Sequence, residues 1–451
     1  MKLGLIIFLL AFTIRFINLL FLDLDVQTYL IEDQKLYWKW ALKGAYLPWG
    51  DISLSLLSER MPGAFFLFEL LQRVTGQDLF FVLVFQSIID SFTCVIIFNC
   101  AGLINKKYQL YTGLFACFSP LMIIISSQIL SDTIFLFAFS SCLFFLLKFI
   151  YKNESYYSLY LSSLFLGLST FIRAATFPLI FLSIPIIYLV IRSHTSSNKK
   201  IFISLIFFVL ISLIPVSYRW VNNIIYHDTY SLTSQSGSHV AYWMVPGVLS
   251  LSQNLDRKLS IDFVNKEINK NGGLTDNPYK DSKIMFDVSR EILSKENIFY
   301  ISYAWLRSSA LNIIASPILI DIRVRNLSHP SFAQEGNIIK WMKSIIANKD
   351  SLIYFNILLL SFIVSLLSSV AFIIGYCIFF KSNFNLSIIS IFIIMFFCLI
   401  TGPTLSPKYC LPYIPIILYL QAISVDKLFL FIKKRKSPFC FKFSNHFIYG
   451  F

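Results

Sequence analysis

The chain has 451 residues, 57% of them hydrophobic and only 14% charged, against roughly 45–50% and about 25% in soluble globular proteins. So few charges cannot clothe a soluble surface, which excludes a cytosolic enzyme, a disordered chain and a disulfide-stapled secreted module. The net charge of +14 is spread over short segments between apolar runs, a pattern that sets membrane orientation and argues against nucleic acid as a partner.

A bilayer-spanning helix needs about 20 largely apolar residues. In chain order such stretches fall at Leu3–Leu22, Leu79–Ile104, Leu110–Ser127, Ile129–Tyr151, Ser158–Ile172, Ala174–Ile191, Ile201–Tyr218, Leu352–Phe380, Leu386–Ile400 and Tyr409–Phe431. They predict an all-α polytopic membrane protein with about ten transmembrane helices, interfacial helices and a small external domain. The first stretch has no small-residue cleavage site after it and reads as a retained helix. The eight cysteines lie scattered, Cys94, Cys117, Cys142 and Cys398 among them within apolar runs. Without CxxC or metal-ligand spacing they read as small hydrophobes.

Lys106 and Lys107, Lys152, Arg192 with Lys199 and Lys200, Lys381, and Lys433–Lys436 occupy alternate connections. Basic residues in short loops favour the cytoplasm, so those connections and both termini are expected there. The opposite side receives Asp23–Asp78, the tight connections near Gln128 and Arg173, Arg219–Ser351 and Thr401–Lys408. Long translocated segments are exempt from the charge rule. Ile298–Ile320 is apolar, but Arg307 at its middle would cost about 2.5–3.5 kcal/mol inside a bilayer. An interfacial helix on the outer leaflet is expected instead. The chain then divides into an N-terminal transmembrane module (1–218) with a first external loop (23–78), an external loop or lid (219–351) carrying the interfacial helix (298–320), and C-terminal helices with a basic cytoplasmic tail (352–451).

This topology draws ionisable residues from distant parts of the sequence onto one membrane face. The acids are Asp33 and Glu59 in the first external loop and Asp132 in Ser131-Asp132-Thr133; the cations are Arg60, Arg173, Arg219 and Lys408. Ionisable groups near a bilayer are costly and need a partner or a task. Each also has a plain structural reading. Asp33 or Asp132 could cap a helix, and Glu59-Arg60 could be a surface ion pair. Arg173 could snorkel from its hairpin and Lys408 could anchor a span at the interface. Arg15 and Asp90 lie within spans and suit a structural pairing with each other or with backbone.

The order of these features resembles the GT-C superfamily of integral-membrane glycosyltransferases, in the branch of the protein O-mannosyltransferases and lipid A aminoarabinose transferases. Asp33, Tyr37 and Ala41 match an acidic residue, Tyr and a small residue at four-residue steps, after a first span with Arg15. Glu59-Arg60-Met61-Pro62 matches an acidic-basic-Pro-Pro pattern, with Met61 replacing the first Pro. Ser131-Asp132 matches the later Ser-acid pair. Gly167-Leu168 with Arg173 matches a Gly-Leu…Arg-Pro segment, with Ala174 in place of Pro. Pro215 and Arg219 match a Pro-x-x-x-Arg-Asn motif in which Trp220 replaces Asn. Lys408-Tyr409 with Pro412 matches a late Arg-Tyr-x-x-Pro.

The resemblance implies inverting transfer of a sugar from a polyprenyl-phosphate carrier to a hydroxyl acceptor on the non-cytoplasmic face. The acceptor would be a protein, a lipid or a glycan. It implies Asp33 as general base, with Glu59 and Asp132 orienting the acceptor or holding cations in place. Tyr37, Arg60, Arg219, Lys408 and Tyr409 would bind substrate, the cations receiving charge on the departing phosphate. No cofactor is required, although a divalent cation among Asp33, Glu59 and Asp132 would suit grouped carboxylates. The alternatives are a transporter or flippase, or a polymerase or ligase of lipid-linked glycans. A transporter would place its ionisable groups near the midplane and show repeat symmetry, and neither is legible here.

Overall fold

The computed structural model describes residues 2–42, 58–152, 156–330 and 338–436, which are helical with no strand. Residues 43–57 of the first external loop and 437–451 of the basic tail lie outside the described residues. Among the described residues seven helices are long and apolar enough to cross a membrane: Lys2–Leu20, Leu79–Ile104, Asp132–Lys152, Asn198–His227, Lys349–Ser382, Phe384–Thr401 and Pro407–Phe431. Two pairs, Lys106–Cys117 with Pro120–Ser126 and Ala174–Leu182 with Ile184–Arg192, are each bent by 47°, and Tyr156–Ile172 is apolar but shorter. These are the ten stretches read from hydropathy, two of them broken.

Proline explains the first break. Pro120 has no N–H to donate and pushes Ser119 into extended backbone, with ψ at 112°. At the end of the Lys106–Cys117 helix Leu114 O accepts from Phe118 N at 3.0 Å and Ala116 O accepts a long bond from Ser119 N at 3.5 Å, so the last carbonyls need donors from outside the helix. Arg15 reaches across from the first helix and donates to Cys117 O at 3.2 Å and Ala116 O at 3.3 Å. Its remaining donors go to Ala11 O, to Cys94 Sγ and to Asp90 Oδ2 at 2.5 Å. Both charged side chains are buried, at 0% and 2% exposure. The structural pairing expected for Arg15 and Asp90 is present, and it doubles as the cap of a broken span.

Contacts between connections sort them to two ends of the bundle. At one end Lys107 pairs with Asp426, Asn383 Nδ2 donates to Tyr151 OH at 3.2 Å, and His194 bonds Phe149 O. At the other, Tyr29 OH donates to Ser127 O, Ile129 N donates to Gln34 Oε1, and Gln128 Nε2 donates to Ile320 O. The strongly basic short connections fall at the first end and the candidate site residues at the second.

The Asn198–His227 helix runs past Tyr218 and stops only where Asp228 turns left-handed, at φ +49°. Arg219 thus sits on a helix and not at the mouth of a loop. Beyond it, helices Val245–Ser252, Arg257–Lys270 and Pro278–Ser294 enclose a separate apolar core built on Val245, Leu249, Val264, Ile268 and Val288. Asp256 and Asn277 cap two of these helices through their side chains. The apolar segment with Arg307 forms a helix over Ile298–Ile314 and a 3-10 turn over Pro317–Ile320. It buries Ala304, Ser308 and Asn312 on one face and leaves Arg307 exposed.

Removing one member of a buried ion pair strands the other charge, at a cost of about 3–5 kcal/mol. Asp90→Asn is therefore expected to lower stability sharply in detergent. Arg15→Met with Asp90→Leu should regain only part of it, because Ala116 and Cys117 carbonyls then lose their donor. Unfolding curves of the three proteins test this; an Asp90→Asn protein as stable as the parent would refute the capping role.

Candidate functional site

The site is assembled from four short segments at one end of the bundle. The first is the helix Asp33–Ala41, whose i, i+4 spacing sets Asp33 and Tyr37 on one face. Asp33 stands inside the first turn, so it is not the cap; that position belongs to Glu32, held at φ +47°, a conformation that costs roughly 1–3 kcal/mol in a non-glycine residue. The Asp33 carboxylate instead accepts from Arg60 Nη2 at 3.1 Å through Oδ1, and its side chain is 43% exposed. Tyr37 is buried against Phe65 and Phe68, with ring centroids 4.9 and 5.8 Å away.

The second segment is Ser58–Met61, which leads into the helix Pro62–Val74. Gly63 lets this helix start close against the end of another: a Cβ there would lie 2.7 Å from Phe171 O. The contact brings Arg60 near the Arg173 turn. Arg60 Nε is buried and has no hydrogen-bond partner among the described residues, an unmade bond that costs about 1–3 kcal/mol. Burial pushes the Glu59 carboxyl above its ordinary range; Arg60 opposes the shift and Asp33 adds to it. Ser58 is tied to the external segment, its carbonyl accepting from Ser234 N at 2.9 Å and its hydroxyl meeting Ser234 Oγ at 2.7 Å.

The third segment is the turn Ser127–Asp132 with its partner Arg173. Gln86 and Gln128 hold the turn, Gln86 Nε2 donating to Gln128 O at 2.9 Å. Asp132 opens the next helix and accepts from Arg173 Nη1 at 2.5 Å, the acid 4% and the arginine 31% exposed. Arg173, which from its hairpin position could snorkel, is ion-paired with Asp132 and lies over the Phe135 ring. The Gly167-Leu168 motif preceding it serves packing, since a Cβ at Gly167 would lie 2.3 Å from Ser212 O and 2.9 Å from Pro215.

The fourth segment, Pro407–Tyr413, carries Lys408 and Tyr409. Lys408 is half-buried, its Nζ 5.8 Å from the Tyr409 ring centroid, and no acid pairs with it among the described residues. Arg219 lies behind the second segment: it donates to Ser58 O at 3.4 Å, to Leu232 O at 3.3 Å and to Tyr279 OH at 3.0 Å. Those bonds brace the strand of chain that carries Glu59 and Arg60.

One neighbour was not singled out in the sequence. His239 bonds Thr401 O at 3.1 Å. A carbonyl only accepts, so Nε2 carries the proton. Burial lowers the imidazole pKa, the bond to Thr401 O opposes this, and the positive charge of Arg60 adds to the fall. His239 shares the long external segment with His227 and His329, at distances that form no motif, so no spacing signal would have found it. Among the described residues no three His, Cys, Asp or Glu side chains are grouped to hold a metal ion; Asp33 and Asp132 each face a guanidinium instead.

Because the folded chain holds the Glu59 carboxyl above its ordinary pKa, ionising it as the pH rises costs stability, and the cost is absent below that range. Glu59→Gln is expected to be at least as heat-stable as the parent at pH 7, with the advantage fading as the pH falls towards 4. Thermal unfolding at the two pH values decides this; a variant markedly less stable at pH 7 contradicts it.

Residues 59–220 match the sequence model of a family described as dolichyl-phosphate-mannose-protein mannosyltransferase. The match takes in Glu59-Arg60, Ser131-Asp132, Gly167…Arg173 and Pro215…Arg219, and leaves out Asp33-Tyr37 and Lys408-Tyr409. It supports the GT-C resemblance carried by those motifs. Among solved structures, ArnT from Cupriavidus metallidurans in the apo state is similar at 11% sequence identity, over 93% of this chain and 77% of that chain, with a TM-score of 0.38. No curated protein matches the chain in sequence.

Proposed function

We propose that the chain is an inverting GT-C glycosyltransferase that moves a sugar from a polyprenyl-phosphate carrier to a hydroxyl acceptor at the non-cytoplasmic face of the membrane. The observation that carries this reading is the gathering of Asp33–Arg60, Asp132–Arg173 and Lys408–Tyr409, drawn from both ends of the sequence, at one end of an apolar bundle. That end is the one opposite the strongly basic short connections, which supports its non-cytoplasmic side.

In this mechanism the acceptor oxygen attacks the anomeric carbon, the new C–O bond forms and the bond to the carrier phosphate breaks. The hydroxyl proton passes to Asp33, whose Oδ1 is held by Arg60; a base must stand within about 3 Å of the proton it takes. Negative charge grows on the leaving phosphate and is met by preorganised donors. Among the described residues Lys408 has no acid partner and Arg60 Nε is a buried donor with nothing to bond. Both suit an arriving phosphate oxygen. Asp132 holds Arg173 beside Tyr37 and Tyr409, where the three can orient the sugar or the acceptor. Arg219 acts at one remove, through its bonds to the Ser58 carbonyl and Tyr279.

Asp33→Asn is expected to reduce transfer from a polyprenyl-phosphate sugar by at least about a hundredfold while the protein remains inserted and folded. Lys408→Ala should raise the donor KM more than Lys408→Arg, which keeps the charge at the phosphate. Both follow from assays with purified protein and membrane-extracted donor. Near-parent turnover by Asp33→Asn removes Asp33 from the chemistry, and equal donor KM values for the two Lys408 variants remove Lys408 from the phosphate.

A further inference from the structure

The segment carrying Lys408 has little structure of its own. Residues 402–406 run between the helix Phe384–Thr401 and the 3-10 helix Pro407–Tyr413. Gly402, Pro403 and Thr404 are buried there, with short-range backbone bonds from Gly402 N to Cys398 O at 3.2 Å and from Thr404 N to Gly402 O at 2.8 Å. The Thr404 carbonyl and the Ser406 N–H are paired by one side chain of the external segment. Asn312, 4% exposed on the helix Ile298–Ile314, donates from Nδ2 to Thr404 O at 2.9 Å and accepts at Oδ1 from Ser406 N at 2.8 Å. A neutral amide alone among side chains of this size offers a donor and an acceptor side by side. It thus imitates a strand neighbour for the two backbone groups that flank Leu405.

The hold continues towards the site. Ser406 Oγ accepts from Lys408 N at 3.4 Å and Ser406 O from Tyr409 N at 3.1 Å, so the residue fixed by Asn312 is also the cap of the turn bearing both site residues. Separate bonds from Trp305 Nε1 to Leu399 O and from His239 to Thr401 O secure the preceding helix end, not the turn itself.

We infer that Asn312 is a positioning residue that sets Lys408 for a phosphate ligand through Ser406. The inference rests on the reading of Lys408 as the phosphate contact, and its test separates the two. Full-length protein in detergent micelles, as the parent and as Asn312→Leu, Asn312→Asp and Trp305→Phe, is compared by hydrogen–deuterium exchange and by binding of undecaprenyl phosphate. Asn312→Leu should speed exchange across residues 404–410 by at least about tenfold, and Asn312→Asp by less, since it keeps the acceptor half. Asn312→Leu should also weaken undecaprenyl phosphate binding as much as Lys408→Ala does, with no further loss when the two are combined. Trp305→Phe, a control for general loosening of the external segment, should change neither reading.

Unchanged exchange in Asn312→Leu overturns the inference. So does fast exchange combined with parental binding, or an equal effect of Trp305→Phe. If the parent itself ignores undecaprenyl phosphate while the exchange effect is present, the donor assigned above is wrong and the hold of Asn312 on the Lys408 turn stands.

Discussion

A helix broken inside an apolar bundle must find partners for its last carbonyls, and most of the site's geometry hangs on how this chain does so. Arg15 gives two of its five donors to Ala116 and Cys117, and Asp90 neutralises it. The break at Ser119-Pro120 redirects the chain by 47° into the short helix Pro120–Ser126. That helix delivers the turn on which Gln128 and Asp132 sit. Two charges in the bundle interior are a costly way to brace a kink. The arginine's reach and its number of donors make it one of few side chains able to satisfy both carbonyls and pair with an acid at once.

Amides perform the corresponding task at the site end. Gln34 accepts from Ile129 N, Gln86 donates to Gln128 O, Gln128 donates to Ile320 O, Asn223 donates to Ser231 O and Leu232 O, and Asn312 grips the loop before Lys408. Apart from Asn223, whose partners lie 8 and 9 residues away, each ties a loop to backbone far away in sequence. These loops cross buried ground where water cannot satisfy them, and an unpaired backbone group there costs as much as a lost hydrogen bond. A neutral amide supplies the bond without adding charge. The ionised groups are left to pair with one another around a common centre.

Hydropathy made the ten apolar stretches legible, because the bilayer fixes their length. It gave no warning that two were bent, although Pro120 and Pro185 stand in them as visible breakers. The polar composition after Tyr218 suggested a loop, yet the helix continues to His227, since backbone hydrogen bonding does not require an apolar surface once the chain leaves lipid. Asp33, Arg60, Asp132 and Lys408 are singled out by motif order and charge; in the structure Asp33 pairs with Arg60 and Asp132 with Arg173. The bland readings separated only in three dimensions: Asp33 is not a cap, and Arg173 is in an ion pair where a hairpin position suggested a snorkelling side chain. Asn312 and His239 were invisible for a plain reason. Their partners are backbone atoms 92 and 162 residues away, which no local pattern encodes.

The charge balance at the site also bears on the order of events. Asp33–Arg60 and Asp132–Arg173 each set one acid against one base, which leaves Glu59, Arg219 and Lys408 outside those pairs. Burial favours the protonated form of Glu59, which lessens the negative charge beside Arg219 and Lys408. On the proposed reading an anionic headgroup would meet Lys408 without having to break either pair. Its arrival would draw on Arg60 Nε, the donor left over, and need not take Arg60 Nη2 from Asp33. Under the proposed mechanism Asp33 would keep its guanidinium partner, and so its orientation, while the donor binds.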